Sequence, residues 1–456
     1  MILVVLLAAG MTYALSQTLI LPAMPALVRD LGASPLAVSW LLTAYLVAAS
    51  VSTPLIGKLG DLYGRGRTLT AVMVVFCAGS IACALGDSLA LLVAGRVLQG
   101  AAGGVFPLAY GIIRDTFPES TRMRAIGTMS VSLGVGAALG PALAGVIVEH
   151  AGPSAIFWIG LPGALPALAA AALIRDTGGR APARVDWLGA AVLGAALAAL
   201  LTLMTQGRQL GWSSAAALTL AAAAAALFGA WIAVEARQTA PLVDVRLLRR
   251  RTVALTNAAA ACIGCGIFIA YVPLAPIAQA PPSTGYGLGL SVGAAGAILI
   301  PHGVSQILVG PWAGSLCSRI GARATLLIGA AINTATMAGI AVAHDSMAAL
   351  LLAGGILGVG QACALTAMAN LIVASVSRDE VGIATGINTV MRTIGMAVGS
   401  ALSAAILAGG GALPSDRAYV IAFGVAACIT AGAVGCALAL PRVPALRTEP
   451  VAVAQT

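Results

Sequence analysis

The stretch GKLGDLYGRGR, from Gly57 to Arg67, sets one carboxylate, Asp61, among three cations, Lys58, Arg65 and Arg67. Opposite charges this close can pair, and the glycines permit the tight turn and close helix packing. The plainer alternative is a basic loop with one neutralising Asp. Arg96, Arg392 and His302 stand instead inside long apolar runs. A cation in hydrocarbon costs at least about 2.5–3.5 kcal/mol, so both arginines need partners or water and are expected to face a central cavity. No Asp or Glu lies deep enough to pair Arg392, which leaves backbone carbonyls, Asn388 or the negative group of a ligand. His302, beside Pro301, has an intrinsic pKa of about 6.5 that suits proton exchange; otherwise it is a hydrogen-bond donor lining a pore. Gln17, Gln99, Asn257, Tyr271, Gln306, Asn333, Gln361, Asn370 and Asn388 complete the large polar groups able to recognise a solute or to bond helix to helix.

Catalytic chemistry finds no such support. There is no HExxH, no deep pair of aspartates and no Walker loop, and His150, His302 and His344 are far apart in sequence. No catalytic residue, metal ligand set or cofactor is therefore expected. The eight cysteines fall almost entirely in apolar runs, where thiols pack as small hydrophobes, and Cys262-Ile-Gly-Cys265 lacks the strand and helix context of a redox motif.

The elements that must position these residues are membrane helices. Of the 456 residues 60% are hydrophobic and 9% charged, whereas a soluble domain is roughly a quarter charged. Crossing a bilayer takes about 20 apolar residues. Division at charged or Pro/Gly-rich breaks predicts about fourteen spans, at 2–28, 38–57, 68–86, 89–113, 126–148, 154–174, 187–206, 215–234, 253–278, 291–313, 323–343, 347–375, 382–409 and 418–440. The first run is too long for a signal-peptide core and is expected to be a span. The loops test this division, because Lys and Arg collect on the cytoplasmic side. Nineteen of the 24 fall on one side; Arg29, Arg208 and Arg417 fall on the other, and Arg96 and Arg392 lie within spans. Both termini are accordingly expected in the cytoplasm. The net charge of +9 is spread along loops and gives no patch for nucleic acid.

The chain also repeats itself. Pro54, Gly57, Leu59 and Gly64 recur as Pro311, Gly314, Leu316 and Gly321, and Gly127, Gly136, Gly140 and Leu143 recur as Gly386, Gly395, Gly399 and Leu402. The offsets, 257 and 259, nearly agree. Repeated bundles are a common plan of secondary transporters. The expected organisation is an N-terminal six-helix bundle at 1–174, an inserted helix pair with basic loops at 175–251, a C-terminal six-helix bundle at 252–440 and a tail at 441–456.

The loop at 57–67 resembles the signature loop of the major facilitator superfamily. That resemblance implies that Asp61 and Arg65, with Gly57, Gly64 and Arg67, latch a cytoplasmic gate. AGRVLQG, with Arg96, Gln99 and Gly100, and GAALGPALAG, with Gly136, Gly140, Pro141 and Gly145, resemble further motifs of that superfamily, the second associated with exporters. Gly136 and Gly140 share one helix face and Pro141 removes a backbone donor, so close contact and a bend are expected there. WLLTAY at 40–45, AIFWIGLP at 155–162, VDWLG at 185–189 and GYGLGLS at 285–291 are similar to the fourteen-helix drug:proton antiporter branch. The resemblance covers nearly the whole chain and implies an all-α fold of two six-helix bundles, an inserted pair and alternating access. One departure bears on coupling: where that branch commonly carries an Asp in the first span, this chain has Ser16.

The expected function is secondary active export of hydrophobic small molecules, drugs or metabolites, in exchange for protons, by a multi-pass protein of a bacterial-type plasma membrane. The resemblance further implies a monomer. A facilitator or importer of an anionic or zwitterionic solute, suggested by Arg392 and Ser16, is the alternative, and a polytopic membrane enzyme the alternative of another class. Gln17, Asn257, Tyr271, His302, Gln306, Gln361, Asn388 and Arg392 are the candidates for substrate contact or coupling.

Overall fold

The computed structural model describes residues 2–162, 185–238, 241, 246–376, 381–408 and 413–441. The first half contains α1 (Ile2–Thr18), α2 (Ile20–Leu31), α3 (Pro35–Tyr63), α4 (Arg65–Leu85), α5 (Leu89–Gly100), α6 (Val105–Thr116) and α7 (Glu119–Ala151). Then follow α8 (Trp187–Leu210) and α9 (Ala215–Arg237). The second half contains α10 (Arg251–Gln279), α11 (Val292–Ala297), α12 (Ile300–Ile320), α13 (Ala322–Val342), α14 (Met347–Ser375), α15 (Val381–Leu407) and α16 (Asp416–Ala439). Among the described residues, eleven stretches are long and apolar enough to cross a membrane, α5 with α6 and α11 with α12 each counting once, and the pair α1–α2, bent by 50°, makes twelve if it is one span. The predicted spans coincide with described helices except the sixth. It begins at Pro153–Ile159 and runs into residues outside the described ones, as does the tail.

Three predicted spans are broken, each four residues before a proline. Pro22, Pro107 and Pro301 would drive their rings against the carbonyls of Thr18, Gly103 and Ala297. There α1 gives way to α2, the 3-10 turn Ala101–Gly104 separates α5 from α6, and α11 ends before α12. Hydrocarbon tolerates such breaks only where neighbouring groups satisfy the freed backbone. At the 3-10 turn the Ser52 hydroxyl does so, donating to the Gly100 carbonyl at 2.9 Å. Gly100, Gly103 and Gly104 press against α3 so closely that a Cβ on any of them would collide with Tyr45, Ala49 or Ile56. The bend expected at Pro141 is not a break, because α7 is continuous through it.

The two ends of the bundle are capped differently. Helices α3, α5, α9, α11, α14 and α16 start at the arginine-poor end, and each begins with a serine, Ser34, Ser88, Ser214, Ser291, Ser346 or Ser415, accepting from the backbone N–H three residues on. A serine satisfies an orphan N–H without a full charge. At the arginine-rich end α4 and α13 leave the glycines Gly64 (φ 98°) and Gly321 (φ 88°), which hold the same backbone turn at repeat-related positions.

Within the first half α1 packs on α7, and α3 and α4 pack on α5. Within the second, α10 packs on α15 and α16, and α14 on α12 and α13. The halves meet along α3 with α15, α7 with α11 and α12, and α2 with α10. Helices α8 and α9 pack on each other, and α8 lies beside the seam against α3 and α15.

The hydrogen bonds Gln279 Nε2 to Pro22 O (3.0 Å), Gly293 N to Glu149 Oε1 (2.9 Å) and Thr43 Oγ1 with Ser400 Oγ (3.3 Å) join the halves toward the arginine-poor end. Ser400 is eight residues beyond Arg392 on α15, about 12 Å along the helix. At that end a Cβ on Gly296 would overlap the Pro141 carbonyl, and one on Gly145 would overlap the backbone of Gly293. Gly296→Val should therefore open this end. A spin-label pair at Asp30 and Ser283, in a cysteine-free background, should report a longer distance than with Gly296, with overpacking costing about 1–3 kcal/mol of stability.

Candidate transport pathway and gates

At the arginine-rich end, Arg65 begins α4 directly after the Gly64 turn, which aims its side chain back along α3 and across to α6. Its Nη2 donates to Asp61 Oδ1 at 2.7 Å, and its Nη1 donates to Asp115 Oδ2 and to the Gly111 carbonyl (3.3 Å). Gly60 and Gly111 make room, since a Cβ on the first would strike Leu108 and one on the second the Arg65 side chain. Sequence reasoning placed Asp61 with Arg65; the fold adds Asp115 as a second carboxylate on the same guanidinium. Lys58 donates from Nζ to the Pro241 carbonyl, tying the same loop to the segment after α9. Gly57 lies in α3 near Pro107.

Arg96 does not face the seam between the halves, contrary to expectation. It is 1% exposed in the core of the first half. Its Nε donates to Leu41 O (2.8 Å), and its Nη1 donates to Ser16 O (3.1 Å) and Gln99 Oε1 (2.7 Å), while its Cζ sits 4.2 Å from the centre of the Tyr45 ring. Gln99 passes its amide on to Ser80 Oγ at 2.9 Å. The arginine thus staples α1, α3 and α5, and the Ser16 carbonyl it uses belongs to the α1 turn that breaks before Pro22. The remaining nitrogen, Nη2, borders a small cavity lined by Ser16, Leu19, Ile20, Gln99, Ile156 and Phe157.

The motif on α7 divides its work between two faces. A Cβ on Gly136 or Gly140 would collide with Ala14 or Thr18, so these two glycines seat α7 on α1. Pro141 and Gly145, turned to the next face, meet Gly296 and Gly293 of the other half. One turn further out, Glu149 is exposed at the mouth, beyond the apolar part of α7. The Ser291 hydroxyl and the Gly293 N–H hydrogen-bond its carboxylate and hold its pKa below the ordinary carboxylate value.

Between these ends the structure groups the remaining candidates. Asn388 donates to Asn257 Oδ1 at 3.0 Å, so it satisfies α10 and not Arg392. Arg392 has no carboxylate within ion-pair distance among the described residues, and its Nη1 donates to the Met396 sulfur at 3.8 Å. It is half-buried, with its Cγ against Gly264 of α10. Tyr271 and His302 meet edge to face, with ring centres 5.3 Å apart, and the Tyr271 Oη, His302 Nδ1 and Gln361 Oε1 are buried without hydrogen-bond partners. Gln17 is buried on α1, and Gln306 is half-buried on α12 one turn beyond His302. Sequence reasoning missed the contacts of Tyr13 with Tyr45 and of Phe106 with Tyr110, since an aromatic in an apolar run has no signal apart from packing. It also missed Asp186 and Glu235, buried against Gly189, where Asp186 Oδ1 accepts the Gly189 N–H and Glu235 accepts from Trp231.

A family model for the Major Facilitator Superfamily matches residues 6–280 and 259–455. The chain is a member of that superfamily. This major facilitator protein is similar to the tetracenomycin C resistance and export protein of Streptomyces glaucescens, at 31% identity over 87% of this chain and 74% of that one. It is similar to the probable actinorhodin transporter of Streptomyces coelicolor (32%, covering 86% and 69%) and to the multidrug transporter protein MdtP of Bacillus subtilis (28%, covering 89% and 74%). Its fold matches a POT family peptide transporter (TM-score 0.65, 18% identity, 98% of each chain) and the human organic anion transporter MFSD10 (0.60, 16%, 94% and 98%). It is a multi-pass membrane transporter and not an enzyme.

Two outcomes test these assignments. Arg96→Leu should destabilise this transporter in detergent by about 1–3 kcal/mol, and Arg96→Lys should recover only part of this because an ammonium cannot reproduce the fork to Leu41, Ser16 and Gln99. Closure at the arginine-poor end favours ionised Glu149, whose pKa is lowered; the contact is complete above the ordinary carboxylate pKa and is lost as pH falls through the lowered value. The Asp30–Ser283 label distance should stay constant above the ordinary carboxylate pKa and lengthen as pH falls through the lowered one. In Glu149→Gln the distance should not respond to pH.

Proposed function

We propose that this transporter exports hydrophobic small molecules from a bacterial cell by alternating access, as a monomer in the plasma membrane, in exchange for protons. The observation that carries this reading is the seam closed at one end by Pro141–Gly296, Gly145–Gly293 and Glu149–Gly293, with Arg392, Tyr271 and His302 between that closure and the Asp61–Arg65–Asp115 latch. With the termini in the cytoplasm, the closed end is the outer one. The names of the relatives, which speak of export and multidrug resistance, support the direction. His302 is the proposed proton carrier, as the deep imidazole whose Nδ1 has no fixed partner.

Purified protein in liposomes with an internal pH dye, given a proton gradient and a panel of lipophilic compounds, tests this reading. Substrate-dependent proton movement that is lost in His302→Ala is the expected outcome. Substrate flux without proton movement would overturn antiport. The second reading, a facilitator of anionic solutes, is favoured by Ser16 in place of an acid and by Arg392; uptake indifferent to an uncoupler would identify it.

A further inference from the structure

An arginine in the membrane is expensive unless its charge is met, and that of Arg96 is met only in part. Its acceptors, Leu41 O, Ser16 O and Gln99 Oε1, are all neutral, and so is the Tyr45 ring beside it. Among the described residues the buried carboxylates are Asp186 and Glu235, at α8 and α9, where they accept from Gly189 and Trp231. A full positive charge is therefore held in the core of the first half with no described counter-charge. One of its nitrogens is left over as well, since Nη2 is buried without a hydrogen-bond partner. It borders a cavity of about 10 Å³, room for one small occupant, lined by the polar Ser16 and Gln99 and the apolar Leu19, Ile20 and Phe157. Leu19 and Ile20 are the residues at which α1 gives way to α2.

We propose that this cavity binds one monovalent anion of halide size, chloride in a cell, which accepts from Arg96 Nη2 and supplies the negative charge that the surrounding side chains lack. A water at the same place satisfies the nitrogen but leaves the charge unmet; an anion does both, and in a core of low dielectric its attraction to the guanidinium is little weakened. The size of the cavity excludes organic anions. The occupant lies between α5 and the bend from α1 to α2, so it holds that bend to the arginine, and removing it loosens the first half. Ser16 lines the cavity and its carbonyl already contacts Arg96, so a carboxylate at position 16 would stand where the anion does. The site is independent of the direction of transport and of proton coupling.

The test takes the full chain, purified in sodium gluconate, and titrates it with sodium chloride at constant ionic strength. Unfolding is followed with a thiol-reactive dye that reports exposure of the buried Cys83 and Cys265. Chloride should raise the Tm by about 3 °C or more, with bromide acting like chloride and sulfate like gluconate. Ser16→Asp should raise the Tm in gluconate and remove most of the chloride response, because the carboxylate takes the place of the anion. Ser16→Asn, of similar size but neutral, should leave the Tm in gluconate unraised. A Tm indifferent to halide in the unmodified protein would overturn the site and leave the cavity to a water, and so would a chloride response that persists undiminished in Ser16→Asp. Crystals of the unmodified protein grown in bromide test the position however the variants fold: an anomalous peak beside Arg96 Nη2 is expected, and its absence there overturns the proposal.

Discussion

A guanidinium carried into hydrocarbon must find acceptors within the protein, and the first half of this transporter is organised around meeting that demand for Arg96. Its acceptors are not side chains placed for the purpose but main-chain carbonyls, Leu41 O and Ser16 O, with Gln99 as the one side-chain acceptor. The Ser16 carbonyl is available because the ladder of α1 fails before Pro22. The break in one helix and the charge on another thus solve each other's problem. Tyr45, held over the same guanidinium, extends the consequence to Tyr13 and so to the seam.

The same economy governs the contact between halves. Apolar side chains gain little by leaving lipid for protein, so helix association depends on close backbone approach and on polar groups that find partners. Glycine makes both possible on α7. One glycine pair fixes the helix to α1, and the neighbouring face of Pro141 and Gly145 touches α11. A seam held by a few such contacts and by an exposed carboxylate at its mouth is cohesive enough to close and weak enough to open, which is what alternating access demands.

The opposite end is built from charge. Arg65 bridges Asp61 and Asp115 between α3, α4 and α6, all within one half. The repeat-related loop of the other half keeps the glycine turn but not the acids: Arg323 donates instead to the Ala437 and Leu438 carbonyls at the end of α16. The two halves therefore share a backbone plan while differing in how firmly their loops are tied by charge.

The all-α membrane fold, the positions of the spans other than the sixth, the glycine turn shared by the repeat and the chemistry of the 57–67 loop were legible in the sequence, because a bilayer reduces these to local rules of apolar length, loop charge and glycine spacing. Asp61 with Arg65 was legible as an i, i+4 pair on one helix end. Asp115 was not, because it reaches Arg65 from a helix fifty residues away. Nor did the sequence separate Arg96 from Arg392, two arginines in apolar runs with similar local surroundings. Only the packing of α1, α3 and α5 around the first made it a structural staple, while no carboxylate among the described residues reaches the second. Composition and spacing record what each helix is; which face it turns to which neighbour depends on contacts between residues remote in sequence, and the function of a deep charge follows from that face.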